Sequence, residues 1–133
     1  RLGEYSNEYL DEHTTIANNN TLVGINVESP NSIKNIDSIL TIDELNLVFV
    51  GLFDLSKSLG IPGQVQDVRV QDKLSELVDK INSSGKYSGT IATDLDSLKK
   101  YKSMGVSFIL YLVDCKVLKN AYQIPVRELK NLK

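Results

Sequence analysis

Residue types that build several common catalytic and structural sites are scarce in this sequence of 133 residues. It contains one Cys and one His, which excludes a disulfide framework and a zinc centre built from Cys and His. A Ser-His-Asp or Cys-His triad would have to use His13. We predict instead that His13 lies on a helix face and that Cys115 is a small packing residue. The remaining chemistry is that of carboxylates, of the backbone, or of binding alone.

Long apolar runs and an excess of positive charge are also missing. No apolar run approaches the roughly 20 residues that span a bilayer, so we expect a cytoplasmic protein that does not enter a membrane. The 15 Lys and Arg residues are balanced by 17 Asp and Glu, and the six Tyr are not interleaved with basic residues. Both observations disfavour a nucleic-acid partner. Hydrophobic residues make up 41% of the chain and charged residues 24%, which is typical of a globular protein with a core.

Four short apolar runs, rich in β-forming residues, predict four strands. They cover residues 22–27, 45–50, 87–92 and 107–113. Three of the runs are almost continuously apolar, and this pattern is typical of parallel strands that are covered on both faces.

Apolar residues at helical spacing lie before, between and after these runs. Ser29 is a candidate N-cap, with Pro30 at the first helical position. We expect Pro125 to interrupt the last helix. The apolar stripes are Tyr9, Leu10, His13 and Ile16; Ile33, Ile36, Ile39 and Leu40; Val70, Leu74, Leu77, Val78 and Ile81; Leu95, Leu98 and Tyr101; and Val117, Leu118, Ala121 and Tyr122.

The alternation of helices and strands predicts the α/β class with parallel crossovers. The strands begin about 28 residues apart, close to the roughly 31 residues per unit of a (β/α)8 barrel. Four such units amount to half a barrel, and a four-stranded open sheet is the competing interpretation. Residues 1–133 are therefore one domain or a fragment of one, and the polar start indicates a cut in a longer protein or a processed end. We expect missing chain or another subunit to cover the two sheet edges.

Two acids follow neighbouring predicted strands at the point where each strand ends. Glu28 closes the first strand, and Asp54 lies just past the second. Ligands of α/β proteins bind at the carboxyl ends of strands, and neighbouring strands lie about 4.8 Å apart. Two carboxylates suit a hard divalent cation such as Mg²⁺ or Mn²⁺. Asp54 also lies in the longest non-periodic connection, residues 51–71, and long ordered connections are usually functional.

The residues beside Asp54 suggest how a small anion would bind. Gly51 allows a ligand to approach the backbone closely, and the N–H groups near Leu52 and Phe53 are then available to it. Structural roles for the two acids remain open: Glu28 as a hydrogen-bond acceptor for the helix start at residues 29–32, and Asp54 as the cap of a turn at residues 55–58. Lys57 is a poor Schiff-base candidate, because an exposed loop lysine keeps its proton.

Residues 51–64, GLFDLSKSLGIPGQ, resemble the signature G-x-x-D-L-S-x-S-L-G-x-x-G-Q of the HpcH/HpaI aldolase family. The strand end at residues 27–29 is similar to the family's Q-x-E-T, and the 26-residue interval between the two acids agrees with the family spacing. The resemblance continues through Gly85, Tyr101, Gly105 and Asp114 to about Tyr122. It implies a metal-dependent class II pyruvate aldolase, a (β/α)8 barrel whose fifth to eighth strands are those seen here.

The resemblance also implies roles for individual residues. Glu28 and Asp54 would hold Mg²⁺, Mn²⁺ or Co²⁺, which as a Lewis acid would stabilise the enolate of pyruvate during C–C cleavage or formation. The backbone at Gly51 and Leu52 would hold the carboxylate of pyruvate or another 2-oxo acid. Asn26 stands where the family usually has a Gln that touches the substrate.

The resemblance leaves part of the catalytic apparatus outside this sequence. The family's base-assisting His and substrate-binding Arg belong to the first half of the barrel, so no catalytic residue is identifiable in this chain. The rest of the site would come from a missing N-terminal half, and we expect a homo-oligomer. The alternative is an inactive, truncated half-barrel that acts through self-association or partner binding.

Overall fold

The computed structural model describes residues 10–132 and has the α/β fold that the sequence predicts. Its four strands form one parallel sheet in the order β1-β2-β3-β4. The elements are α1 (Leu10–Asn20), β1 (Gly24–Val27), α2 (Pro30–Lys34), α3 (Ile36–Leu40), β2 (Leu47–Val50), α4 (Leu52–Ser58), α5 (Val68–Ser83), β3 (Tyr87–Ala92), α6 (Leu95–Ser103), β4 (Phe108–Tyr111) and α7 (Asp114–Asn131). Tyr9 and the polar stretch at the start of the chain lie outside the described residues.

One face of the sheet carries the core. Successive strand residues point to opposite faces, and on this face Val27, Val48, Val50 and Ala92 are fully buried. The apolar stripe of α5 packs against β2 and β3, as its helical spacing predicts. Fully burying a Val or Leu side chain contributes about 1.5–3 kcal/mol, so this layer supplies much of the stability of the fold.

The opposite face of the sheet has no layer of helices over it in the described part of the chain. Phe49 and Phe108 meet there edge to face, with ring centroids 6.5 Å apart. Phe108 keeps 43% of its surface exposed, Leu110 44% and Tyr87 55%. For the described residues, the prediction that both faces of the apolar strands are covered is therefore wrong: apolar side chains also lie on the second face, which is open.

The strands are shorter than the apolar runs that predict them, except β3. Val23 lies outside the ladder, and its carbonyl accepts from the N–H groups of both Asn46 and Leu47, so β1 and β2 begin two residues later than predicted. Leu112 has a positive φ of 56°. This left-handed conformation ends β4 at Tyr111, before the end of the apolar run.

The connection at residues 51–71 is more regular than the sequence predicts. It contains α4, whose seven residues are too few to show a helical period, and the beginning of α5. The buried Ser56 hydroxyl donates to Phe53 O at 2.6 Å and accepts from Gly63 N–H at 2.9 Å, which fixes the turn after α4. Asp67 caps α5, and hydrogen bonds from Arg69 lower the pKa of Asp67 to about 2, so the cap is ionised at neutral pH.

Two predictions for the C-terminal part of the chain are wrong. Pro125 does not interrupt α7, which runs through it from Asp114 to Asn131. Proline removes one N–H hydrogen bond, and an exposed helix can accommodate that loss by bending. Cys115 is exposed rather than packed, because α7 has no buried residue in this chain.

His13 lies on α1 as predicted. None of the helices within residues 10–132 has the length and apolar character needed to cross a membrane.

Candidate functional site

The structure brings Glu28 and Asp54 to one cavity at the carboxyl edge of the sheet. Val27 pairs with Val50, so Glu28 and Gly51 leave adjacent strands at the same level. Asp54 follows in the first turn of α4. The cavity has a volume of about 420 Å³ and is lined by Glu28, Ser29, Pro30, Asp54, Lys57 and Ser58. The two acids therefore face a common space, which their strand-end positions predict.

Gly51 makes room for the carboxylate of Glu28. A Cβ atom built on Gly51 would collide with Oε2 of Glu28 and would lie 3.3 Å from its Cδ. The backbone of Gly51 has φ −81° and ψ 101°, values that any residue adopts. The absence of a side chain at Gly51 thus matters for space and not for conformation, and it lets Glu28 lie directly against the end of β2.

The structural roles that the sequence left open for the two acids are filled by other residues. Ser29 Oγ accepts from Ser32 N–H at 3.1 Å, and Ser32 Oγ accepts from Ser29 N–H at 3.0 Å, a capping box that begins α2. Gly51 is the N-cap of α4, so Asp54 does not cap that helix. Within residues 12–132, neither acid's carboxylate accepts a hydrogen bond or forms an ion pair. Both carboxylates are available to a ligand.

This donor set fits a hard divalent cation. Such cations prefer carboxylate oxygens, and Mg²⁺ in particular is often bound through one or two carboxylates while water and substrate complete the coordination. The described residues contain no group of three or more His, Cys, Asp and Glu side chains that would hold a metal by themselves. Glu28, half-buried, and Asp54, exposed, leave the open positions that a substrate needs.

The remaining predicted site residues, Gly51, Leu52 and Asn26, do not line this cavity. Asn26 pairs with Phe49 on the open face of the sheet and lines a neighbouring cavity of about 310 Å³. The Leu52 side chain is only 2% exposed and belongs to the core, so this residue offers a ligand only its backbone. Its N–H is in the first turn of α4, where helix N–H groups have no partner within the helix.

Lys57 also lines the cavity, which the sequence does not predict. From the sequence, Lys57 is a lysine in a loop and a poor Schiff-base candidate. Lys57 instead lies on α4, three residues after Asp54, and residues at this interval share one side of a helix. The seven residues of α4 are too few to show a helical period, so the sequence does not indicate that Asp54 and Lys57 share one side of a helix.

Four parallel β/α units in sequential strand order define the class of protein: an α/β protein with the fold of part of a (β/α)8 barrel. The family model for HpcH/HpaI aldolase/citrate lyase matches residues 4–121. The chain belongs to this family.

Individual relatives agree with this assignment. The chain is 31% identical over 111 residues to a hydroxypyruvate/pyruvate aldolase of Roseobacter denitrificans, covering 84% of this chain and 43% of the relative. It is 32% identical over 105 residues to a 2-keto-3-deoxy-L-rhamnonate aldolase of Klebsiella pneumoniae, covering 79% and 39%. The crystal structure of an HpcH/HpaI aldolase from Desulfitobacterium hafniense shares the fold with a TM-score of 0.84 at 23% identity, over 92% of this chain and 48% of that one. The chain thus spans less than half the length of these three relatives.

Proposed function

We propose that residues 1–133 supply half of a (β/α)8 barrel that cleaves or forms C–C bonds of 2-oxo acids with a divalent cation. The observation that carries the proposal is the pair of unpaired carboxylates, Glu28 and Asp54, in one cavity at the carboxyl edge of adjacent strands. The names of the relatives support the reaction type, since pyruvate and a 2-keto sugar acid are among the compounds that they name.

Each predicted residue has a separate task in this proposal. Glu28 and Asp54 hold Mg²⁺, Mn²⁺ or Co²⁺, and Gly51 leaves space for the Glu28 carboxylate. A cation held there would supply Lewis acidity to the oxygen atoms of a bound 2-oxo acid. The backbone at Gly51 and Leu52 binds the substrate carboxylate, and Asn26 contacts the substrate from the neighbouring cavity. The base-assisting His and the substrate-binding Arg that the family resemblance implies would come from the other half of the barrel.

The test measures the release of pyruvate from 4-hydroxy-2-oxo acids. A coupled lactate dehydrogenase assay detects the released pyruvate. We expect release by the protein with added Mn²⁺, its loss on chelation with EDTA, and its return when Mn²⁺ is restored. The assay is run on the 133-residue chain and on the longest chain that its source gene encodes. Pyruvate release that is unaffected by EDTA in either preparation would contradict metal dependence, and no release from either would contradict the reaction.

A second function is favoured by the open face of the sheet. Tyr87, Phe108 and Leu110 are about half exposed on this face, and contiguous exposed apolar side chains are typical of interaction sites. A half-barrel without activity, which associates with a second copy or with a partner through this face, would cover these side chains.

Self-association has a measurable signature. We expect the isolated 133-residue chain to sediment as a species of at least twice 14.8 kDa at tens of micromolar concentration. Phe108→Asp with Leu110→Asp should return it to a monomer, because both side chains lie on the sheet and are about half exposed. The control is Leu95→Asp, on the outer side of α6 and 62% exposed. A parent chain that is already monomeric, or a control that dissociates equally, would refute this use of the open face.

A further inference from the structure

The cavity that contains the two acids also contains one positive charge. Lys57 lies three residues after Asp54 on α4, and both residues line the cavity. The helical rise of about 1.5 Å per residue places Lys57 about 4.5 Å further along the helix than Asp54. The Cα of Lys57 is therefore displaced from that of Asp54 toward the C-terminal end of α4.

Lys57 has no anionic partner among the described residues. The ion pairs found there join Arg69 to Asp67, Lys73 to Glu76 and Lys80 to Asp37, all outside the cavity. Lys57 lies near Asp54 without pairing with it. A divalent cation on Glu28 and Asp54 would cancel their two negative charges, which would leave the ammonium group as a positive charge that the cavity lining does not balance.

We propose that Lys57 binds an anionic group, a carboxylate or a phosphate, at the end of a 2-oxo acid remote from its reacting carbon. This inference rests on the proposed function and narrows its substrate class. The cavity of about 420 Å³ lies within the range of small-molecule sites, roughly 300–1,000 Å³, and has more room than pyruvate needs. The 2-oxo group would lie toward Glu28 and Asp54, and the distal anion toward Lys57.

Matched pairs of 2-oxo acids test this inference by binding rather than by turnover. Isothermal titration of the Mn²⁺-loaded protein compares 2-oxoadipate with 2-oxohexanoate, and 2-keto-3-deoxy-6-phosphogluconate with its unphosphorylated form. We expect the anionic member of at least one pair to bind about fivefold more tightly, as for a partly exposed ion pair. The pair that shows the preference identifies the anionic group.

Three variants assign the preference to Lys57. Lys57→Ala should abolish it while leaving the affinity for the neutral member unchanged, and Lys57→Arg should preserve it. Lys99→Ala removes an exposed charge on α6, outside the cavity lining, and should have no effect. Binding of pyruvate and of the neutral acids without any preference for the anions would overturn the role of Lys57 and leave the proposed function standing. Failure of every 2-oxo acid to bind the Mn²⁺-loaded protein would overturn both.

Discussion

Replacement of Glu28 by Gln, or of Asp54 by Asn, is expected to weaken Mn²⁺ binding at least about 100-fold. Substitution of a residue that only orients a metal ligand typically lowers the metal affinity by about 10–100-fold. Loss of a ligand itself should lower the affinity at least as much. The amide keeps the shape of the side chain but removes the negative charge that a hard cation needs. Titration of each purified variant with Mn²⁺, followed by its electron paramagnetic resonance signal, measures the change.

The fold should survive both substitutions. Neither carboxylate accepts a hydrogen bond from the described residues, and substitutions at such positions usually change stability by less than about 0.5 kcal/mol. Asp72→Asn, an exposed acid on α5 outside the cavity, is the matched control and should bind Mn²⁺ like the parent. Circular dichroism during urea unfolding reports stability. If either site variant retained the parent affinity, the proposed metal site would be wrong.

The sequence predicts the order of the strands and of the longer helices, and the meeting of the two acids, because these features depend on local patterns. The strands are apolar runs bounded by polar residues, and the 16-residue α5 shows a long enough stripe to be recognised. Parallel connection of neighbouring strands then places Glu28 and Asp54 at one edge. This placement of the two acids follows from the direction of the strands alone and requires no knowledge of distances.

The missed features depend on contacts that no local pattern contains. The seven residues of α4 are too few to show a period, so the position of Lys57 beside Asp54 was not visible. Tyr87, Phe108 and Leu110, on the second face of the strands, are about half exposed, because a sequence does not state which neighbour covers a face. Pro125 was expected to interrupt the last helix, but α7 continues through it, and an exposed helix tolerates the loss of one N–H hydrogen bond.

Gly51→Ala is expected to weaken Mn²⁺ binding about 10–100-fold, although alanine carries no charge and alters no ligand. The new Cβ would collide with Oε2 of Glu28. The backbone at Gly51 is compatible with alanine, and the far end of a Glu side chain rotates easily. The protein should therefore fold normally while the carboxylate of Glu28 turns out of the cavity, which separates it from Asp54.

Gly89→Ala provides the contrasting case on the neighbouring strand β3. A Cβ at Gly89 would lie 2.9 Å from Phe49 Cδ2 and 3.3 Å from the backbone oxygen of Phe108. This collision involves an aromatic ring and backbone but no acid, so we expect a lower urea midpoint with unchanged Mn²⁺ affinity. Gly51→Ala should show the reverse, a nearly unchanged midpoint with weaker binding. If both variants lost stability and affinity together, Gly51 would serve only the packing of the sheet, and the close approach of Glu28 would have no role in holding the cation.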